Sequence, residues 1–380
     1  MKKSAINRSK GSRQNRLFYS MSPVGHRFLE NIDSDDPQYQ SISRLAKQFS
    51  RVLENNSKNG FENRLTSYWD SNPPPYPVCS LRDCAFGAVL NEVWFAFFAK
   101  PCPKPEIMIK ATRNILMVVK DCETVDLKSR KQGIFLVFDS VKEGINSQLN
   151  CQHLFSDIHE VIFALIVSAV DELSEGFAHT LICLSKNCSA LPDSDDDFKM
   201  ATYEALRLYP LFTISARPDL ENKCLHMVNY VNYHRRRDLF GEDAEEYNWQ
   251  RWQCKNLLGQ TFIFGIGNNR SCPGQNSAME IVPRMVRVWM QKYNTKTLIK
   301  HSRKLPWGGL AMVVPIDESI SWLLSWLHLG LWIYRQTIFF LANKWWIGYR
   351  NFIASEKLLQ ADDYYQAISI SSRPEILQRQ

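Results

Sequence analysis

The stretch FSDIHEVIFALIVSAVDELSEGFAHTLICLSK, Phe155–Lys186, constrains the fold more than any other part of this chain. It carries a long helical pattern that is apolar nearly all round, with Asp171 and Glu172 midway along it. A helix of that character has to run through a domain interior. With 380 residues, 45% of them apolar and 22% charged, the chain can bury a sizeable core, as one large domain or two ordinary ones.

Helices dominate the remainder. LRDCAFGAVLNEVWFAFFAK, Leu81–Lys100, reads as a second largely buried helix, closed by the prolines of PCPKP, and Ile107–Val119 reads as an amphipathic one. Residues 17–75 are polar, with weaker helical periodicity around Ile42–Leu53. NPPPYP, Asn72–Pro77, is a turn or linker, because successive prolines cannot continue a helix. An acidic loop, DSDDD, leads into a helix ending YEALRLYP, and a further helix, GQNSAMEIVPRMVRVWMQKY, begins after Cys272. Strand content is minor, near Leu225–Tyr233 and Leu310–Val314, and there is no internal repeat.

The net charge is +7, and much of the excess sits in MKKSAINRSKGSRQNR, which has six Lys/Arg and no acid. Such a tip is read as a solvated, disordered tail, and no nucleic-acid partner is expected. No apolar run follows it closely, so it is not a secretory signal. Ten scattered cysteines form no tight paired framework and suit a reducing, intracellular compartment. Cys79/Cys84 and Cys183/Cys188 lack the second pair or the histidines of a zinc site. Five of the eleven tryptophans fall within Asp317–Phe352. Ile320–Ala342 approaches the length that spans a bilayer, but it contains His328, Arg335 and Gln336, and charge at membrane depth is costly. Two readings stand: a terminal helical pair packed on the domain, or an interfacial anchor with its tryptophans at headgroup level.

The chemistry concentrates in FIFGIGNNRSCPGQ, Phe262–Gln275. A dinucleotide-type phosphate loop fits it poorly. Gly265 and Gly267 are followed by Arg270 at the third glycine position, and no acidic residue stands where the ribose partner is expected. A ligand loop fits better. Pro273 at the first helical position would put Cys272 at a helix N-terminus, where free N–H groups and the dipole stabilise a thiolate. Gly274 leaves clearance for a flat macrocycle, and Arg270 would pair with an anionic group on its edge. Taken alone, the loop leaves a structural cysteine beside a turn equally open.

FGIGNNRSCPGQ, starting at Phe264, resembles the haem-binding loop of cytochromes P-450, F-x-x-G-x-R-x-C-x-G. Two further motifs agree in order. EALRLYP resembles the family's E-x-x-R helix, with Glu204 and Arg207, and YHRRRDLFGEDAEEYNWQRW resembles the stretch ending P-E-R-W, with Arg251. KLPWGGLAMVVP is similar to the closing strand. The resemblance implies a mainly α cytochrome P-450-like helical domain with a small β-sheet, incomplete on its N-terminal side, plus a C-terminal helical extension. The parts are then a basic tail (1–20), the haem domain (21–316) and a tryptophan-rich helical extension (317–380). It implies haem b ligated by the Cys272 thiolate, with Arg270, Phe264 and Gly274 around it. Glu204, Arg207 and Arg251 would form the buried ion-paired network that braces the loop, and Asp171 and Glu172 would relay protons. The implied activity is a haem-thiolate monooxygenase that inserts one atom of O2 into a small apolar substrate. Its redox partner would be an NADPH reductase or a ferredoxin, met by basic surface such as HRRRD, His234–Asp238. Membrane-surface contact would run through 317–354.

Four departures from the family pattern are present. Gly267 lies five positions before Cys272 rather than four; Glu172 stands where threonine is expected and Ala169 where glycine is; Trp249 and Gln250 replace the Pro-Glu before Arg251; and the chain ahead of the long helix is short. These keep two other outcomes in view: a peroxide-using or rearranging haem-thiolate enzyme, and a non-catalytic remnant of the family. A membrane-attached binding protein organised by the tryptophan-rich tail is a third.

Overall fold

The computed structural model describes residues 37–120, 127–148, 158–187, 192–211, 214–219, 224–254, 257–265, 271–297, 301, 308–318, 327, 330, 331, 333 and 334. The basic tail 1–20, most of 317–354 and residues 266–270 lie outside them.

Helix α1 (Pro37–Asn56) starts on a proline, whose missing N–H is no loss in a first turn. It buries Tyr39, Ile42, Ala46, Ser50 and Leu53, a one-sided stripe at three- and four-residue spacing. Helix α2 (Phe61–Ser71) buries Phe61, Leu65 and Trp69 and stops ahead of the proline run. Strand β1 (Val78–Ser80) passes directly into α3 (Leu81–Phe98), where the Ser80 hydroxyl accepts the Asp83 N–H. Helix α3 is buried on almost every side. Its one buried carboxylate, Glu92, is met by Arg64 at 2.9 Å, while burial pushes that carboxyl upward. Gly87 lets the Tyr68 hydroxyl and Ile109 Cδ1 close onto α3; a Cβ there would push both side-chain ends aside.

Helices α4 (Pro105–Lys120) and α5 (Leu127–Gln148) pack on each other and on α3, and both reach α6 (Ile158–Asn187). Periodicity in the sequence predicts α4 but neither α2 nor α5. The 30-residue α6 is the interior helix that its composition demands. It packs against α1, α3, α4, α5, α7 (Asp195–Leu208) and α11 (Gln275–Lys292). Ser174 and Thr180 donate back to the carbonyls of Val170 and Gly176 at 2.6 and 2.8 Å, so their hydroxyls are satisfied inside the apolar surround.

Two sequence expectations need correction. The acidic DSDDD segment is a helix start rather than a loop. Ser194 and Asp197 form a reciprocal capping box, and Asp195, Asp196 and Asp197 occupy the first turn of α7, where the helix dipole favours negative charge. The strand expected over Leu225–Tyr233 ends early. A hairpin of β2 (Ile214–Asp219) and β3 (Cys224–Asn229) stops because the Asn229 side chain caps the short α8 (Tyr230–His234) through the Asn232 N–H.

After α9 (Arg237–Phe240), α10 (Arg251–Cys254) and α11, strands β4 (Tyr293–Thr297) and β5 (Leu310–Pro315) complete the sheet. Its order is β1-β5-β4, all antiparallel, with Ser80 opposite Leu310 and Thr297 opposite Ala311. This sheet joins the early chain to its late part. Trp69 of α2, Phe177 of α6 and Trp289 of α11 reinforce the closure, Trp289 meeting the other two rings edge-to-face at 5.2 and 5.5 Å. Among the described residues no helix is long and apolar enough to cross a membrane.

Candidate functional site

Two helices and a run of turns meet around one carboxylate. Glu204 and Arg207 stand one turn apart on α7 and are fully buried. Arg207 grips Glu204 with two prongs, Nε to Oε2 and Nη2 to Oε1, both at 2.8 Å. Arg251, the first residue of α10, adds its Nε to Oε1 at 2.9 Å. The Asn248 backbone N–H reaches Oε1 at 3.1 Å, and the Trp252 indole N–H reaches Oε2 at 2.9 Å. A charge removed from water costs several kcal/mol (~3 or more) unless it is both paired and hydrogen-bonded, and here both oxygens are filled.

The guanidiniums have more to hold than Glu204. Arg207 Nη1 donates to the carbonyls of His234 and of Ala244, the latter at 2.8 Å, and its Cζ lies 4.9 Å from the centre of the Phe240 ring. Arg251 donates to the Phe240 carbonyl at 2.6 Å and takes both carboxylate oxygens of Asp243 at 3.1 Å. The Asn248 amide and Arg251 lower the Asp243 carboxyl below its usual range. Residues 230–254 form only short helices, so many of their carbonyls have no ladder partner. The two arginines supply partners and strap this segment to α7.

From this segment the contacts continue into the cysteine loop. His234 is fully buried, and its Nε2 accepts the Phe262 N–H at 2.9 Å. Burial, and then the Arg207 guanidinium, push the imidazole down to about 4. The Phe262 carbonyl accepts the Gly265 N–H at 3.0 Å in a turn where Gly265 takes φ 89°, a conformation suited to glycine. The Phe264 carbonyl then accepts the Cys272 N–H at 2.7 Å, and the Phe264 ring meets Tyr203 of α7 edge-on at 6.3 Å. Cys272 itself is exposed.

Pro273 does not open the helix as its sequence context suggests. Gly274 is the N-cap of α11, so Cys272 stands two residues ahead of it, its carbonyl accepting the Gln275 N–H at 3.4 Å. A Cβ on Gly274 would meet only the Cys272 sulfur and the Ser50 hydroxyl, both at an ordinary 3.8 Å, so protein atoms do not demand the glycine. Arg270 lies outside the described residues, as do Gly267, Asn268 and Asn269 of the lengthened loop. Asp171, 5% exposed, and half-buried Glu172 sit midway along α6, which packs against both α7 and α11. The basic HRRRD run is largely compensated nearby: Arg236 pairs with Asp238, and Arg237 reaches Glu242 at 3.4 Å.

Sequence reasoning misses His234 as a contact of the cysteine loop, and it misses Asp243, Asn248 and Trp252 as partners of the arginines. Trp252 adjoins Arg251, and a tryptophan needs an acceptor when buried, which is the one local signal available. Among the described residues no three His, Cys, Asp or Glu side chains gather to hold a metal ion; a thiolate-ligated haem asks one cysteine of the protein.

Solved cytochromes P450 share this architecture. CYP102L1 superposes with a TM-score of 0.60 at 13% identity, covering 83% of this chain and 87% of that one. CYP175A1 from Thermus thermophilus gives 0.62 at 17%, covering 82% and 85%. A six-coordinated cytochrome P450 from another strain of Thermus thermophilus gives 0.59 at 17%, covering 82% and 88%. The cytochrome P450 monooxygenase FPY7 of Fusarium mangiferae is 36% identical over 84 residues, which are 21% of this chain and 15% of that relative's length. No family profile matches the chain. The fold is that of the cytochromes P450.

Two outcomes follow from the network. Glu204→Gln leaves two guanidiniums around a neutral amide, and urea unfolding is expected to show a loss of about 3–5 kcal/mol. For His234, the folded pKa of about 4 lies below its ordinary 6.5, so between those values the unfolded chain binds the proton and the folded chain does not. Stability therefore falls as pH drops through that window, by up to about 3 kcal/mol, and levels off below it. His301, bonded to His179 at 2.8 Å, is lowered as well, to about 2, so the comparison with His234→Gln isolates His234. The variant's stability should be flatter between pH 6.5 and 4.

Proposed function

We propose that this chain is a haem-thiolate enzyme of the cytochrome P450 type, a monooxygenase acting on a small apolar substrate with O2, in which the Cys272 thiolate would hold the haem. The observation that carries the reading is the connection from the buried Glu204–Arg207–Arg251 cluster to the Cys272 loop: a fully satisfied ionic cluster braces a short turn that presents one exposed thiol. The residues present fit haem. Cys272 is exposed, and Gly274 beside it carries no side chain although protein atoms would accept one. Both suit a residue pair that would hold a flat cofactor through the thiolate.

When bound, haem supplies the oxygen-activating redox chemistry, and the protein supplies seating and proton delivery. Cys272 would hold the group, with Phe264 of the same loop packing near it and Arg270 as the partner for a propionate. Asp171 and Glu172 on α6 are the carboxyl groups assigned to proton movement. Electrons come from a reductase or ferredoxin. Glu172, in place of the family's threonine, motivates a second reading, peroxide-driven chemistry without a donor protein, because a carboxyl reaches further than a hydroxyl and can itself hold a proton.

An intracellular place with membrane-surface contact through 317–354 is part of the same proposal. Its support is the exposure of Leu327, Leu331, Ile333 and Tyr334, all at helical positions.

The decisive measurement is the spectrum of the dithionite-reduced chain under carbon monoxide, beside Cys272→Ala. A Soret band strongly red-shifted from that of a histidine-haem carbonyl, and lost in the variant, is expected. A folded chain that takes up no haem would sink the enzyme reading and leave a remnant. Turnover with peroxide but not with a reductase would select the second reading. In vesicle flotation, deletion of 317–380 should abolish co-migration with lipid; a full chain that never floats would remove the membrane part.

A further inference from the structure

We infer that His234 is the positioning residue that couples the buried arginine network to the cysteine loop, and that it does so through one hydrogen bond, the Phe262 N–H to its imidazole Nε2. The spectroscopic arm of its test rests on the haem-thiolate reading; the coupling itself is a property of the bare chain.

Four observations carry this. The backbone of His234 is held by Arg207, which donates to its carbonyl as well as to Glu204, so the ring is anchored to the ionic cluster. The ring then receives the Phe262 N–H at 2.9 Å, ten residues before the sulfur and within the turn that Phe262 and Gly265 close at 3.0 Å. The last link is the Phe264 carbonyl with the Cys272 N–H at 2.7 Å. Every step from Glu204 to Cys272 is thus a hydrogen bond or one short stretch of chain.

The fourth observation concerns what His234 gives up. The residue is fully buried, and its Nδ1 has no hydrogen-bond partner among the described residues. Because Nε2 accepts, the neutral ring's proton is assigned to Nδ1, a buried donor left unmet. Its surroundings are suited to an apolar ring: Phe240 lies edge-on at 6.3 Å and Tyr233 at 5.8 Å. An apolar side chain would avoid the unmet Nδ1 but would leave the Phe262 N–H without its acceptor. What imidazole adds is the acceptor, aimed at the one N–H that opens the cysteine turn. The Arg207 charge beside the ring favours its neutral, accepting form.

The sequence disguises this role. His234 begins HRRRD, a run that reads as solvated basic surface. Arg236 and Arg237 are indeed exposed and paired with local acids, whereas His234 faces the opposite way, into the core.

The test uses the full chain and three substitutions. His234→Gln extends an amide oxygen to the Nε2 position and keeps the acceptor; His234→Leu removes it; His234→Asn keeps an amide too short to reach. Hydrogen exchange on the bare proteins is the first readout. Leu and Asn should speed exchange of the Phe262 and Cys272 amides by about five- to tenfold, the ratio that loss of one hydrogen bond implies, with α6 and α11 unchanged. Gln should stay within about twofold of the parent at both amides. With haem loaded, Leu and Asn should move a fraction of the ferrous–carbonyl band to the histidine-type position, and Gln should not. Unchanged exchange at both amides in Leu and Asn would overturn the inference, as would a Gln variant as fast as Leu. If Leu does not fold, Asn against Gln decides alone. If the parent takes up no haem, the haem-thiolate reading falls, while exchange still decides the coupling.

Discussion

The Glu204 carboxylate is the point on which this structure depends. It is buried without access to water, and its charge is tolerable only because five N–H groups from Arg207, Arg251, Asn248 and Trp252 fill its two oxygens. Three of those groups come from residues 248–252, more than forty positions further along the chain. The carboxylate therefore organises a distant segment as well as its own helix. In return, the arginines drawn in to meet it have donors to spare. These go to the carbonyls of His234, Phe240, Asp243 and Ala244, the unladdered backbone of a region with no long element. An apolar cluster of the same volume would bury as well, but it could not hold those carbonyls in place.

The frame around this point is apolar. Helix α6 has no face for water, so α1, α3, α5, α7 and α11 cover it, and its hydroxyls turn inward to its own carbonyls. The β1-β5-β4 sheet and the Trp69–Trp289–Phe177 cluster draw early and late parts of the chain onto the same core. The cysteine turn is held between α7, through Phe264 against Tyr203, and α11, which begins just beyond Cys272. Of the cysteines the described residues include, Cys272 is the exposed one, and its N–H is tied back to the Phe264 carbonyl, so its position is set by the frame rather than by its own helix.

Much of this is legible in the residues alone. The interior helix follows from a run with no polar face, α3 from its largely apolar stretch closed by prolines, and α4 from its amphipathic periodicity. Glu204, Arg207, Arg251 and Cys272 stand out because three motifs fall in one order. Helices α2 and α5 escape such a reading, their patterns broken by polar residues that matter little once neighbours cover the apolar stripe. The acids of DSDDD look like a solvated loop in isolation, yet a capping box makes them a helix start. Pro273 has the sequence context of a first helical residue, but Gly274 takes the N-cap instead.

By itself, the sequence determined which segments must be buried, which residues bring charge into that interior, and which cysteine stands between a glycine-bearing loop and the helix that follows it. These are properties of composition and spacing, carried by neighbours within a few residues. Only the tertiary structure decided which groups meet. That Arg207 reaches the His234 carbonyl, that the His234 ring turns inward from a basic run to accept the Phe262 N–H, and that Trp252 completes the shell of Glu204 all depend on chain segments 27 to 48 residues apart being folded onto one another. A hydrogen bond acts over about 3 Å and leaves no periodic trace in the sequence, so such pairings become visible only when the fold brings the partners within that distance.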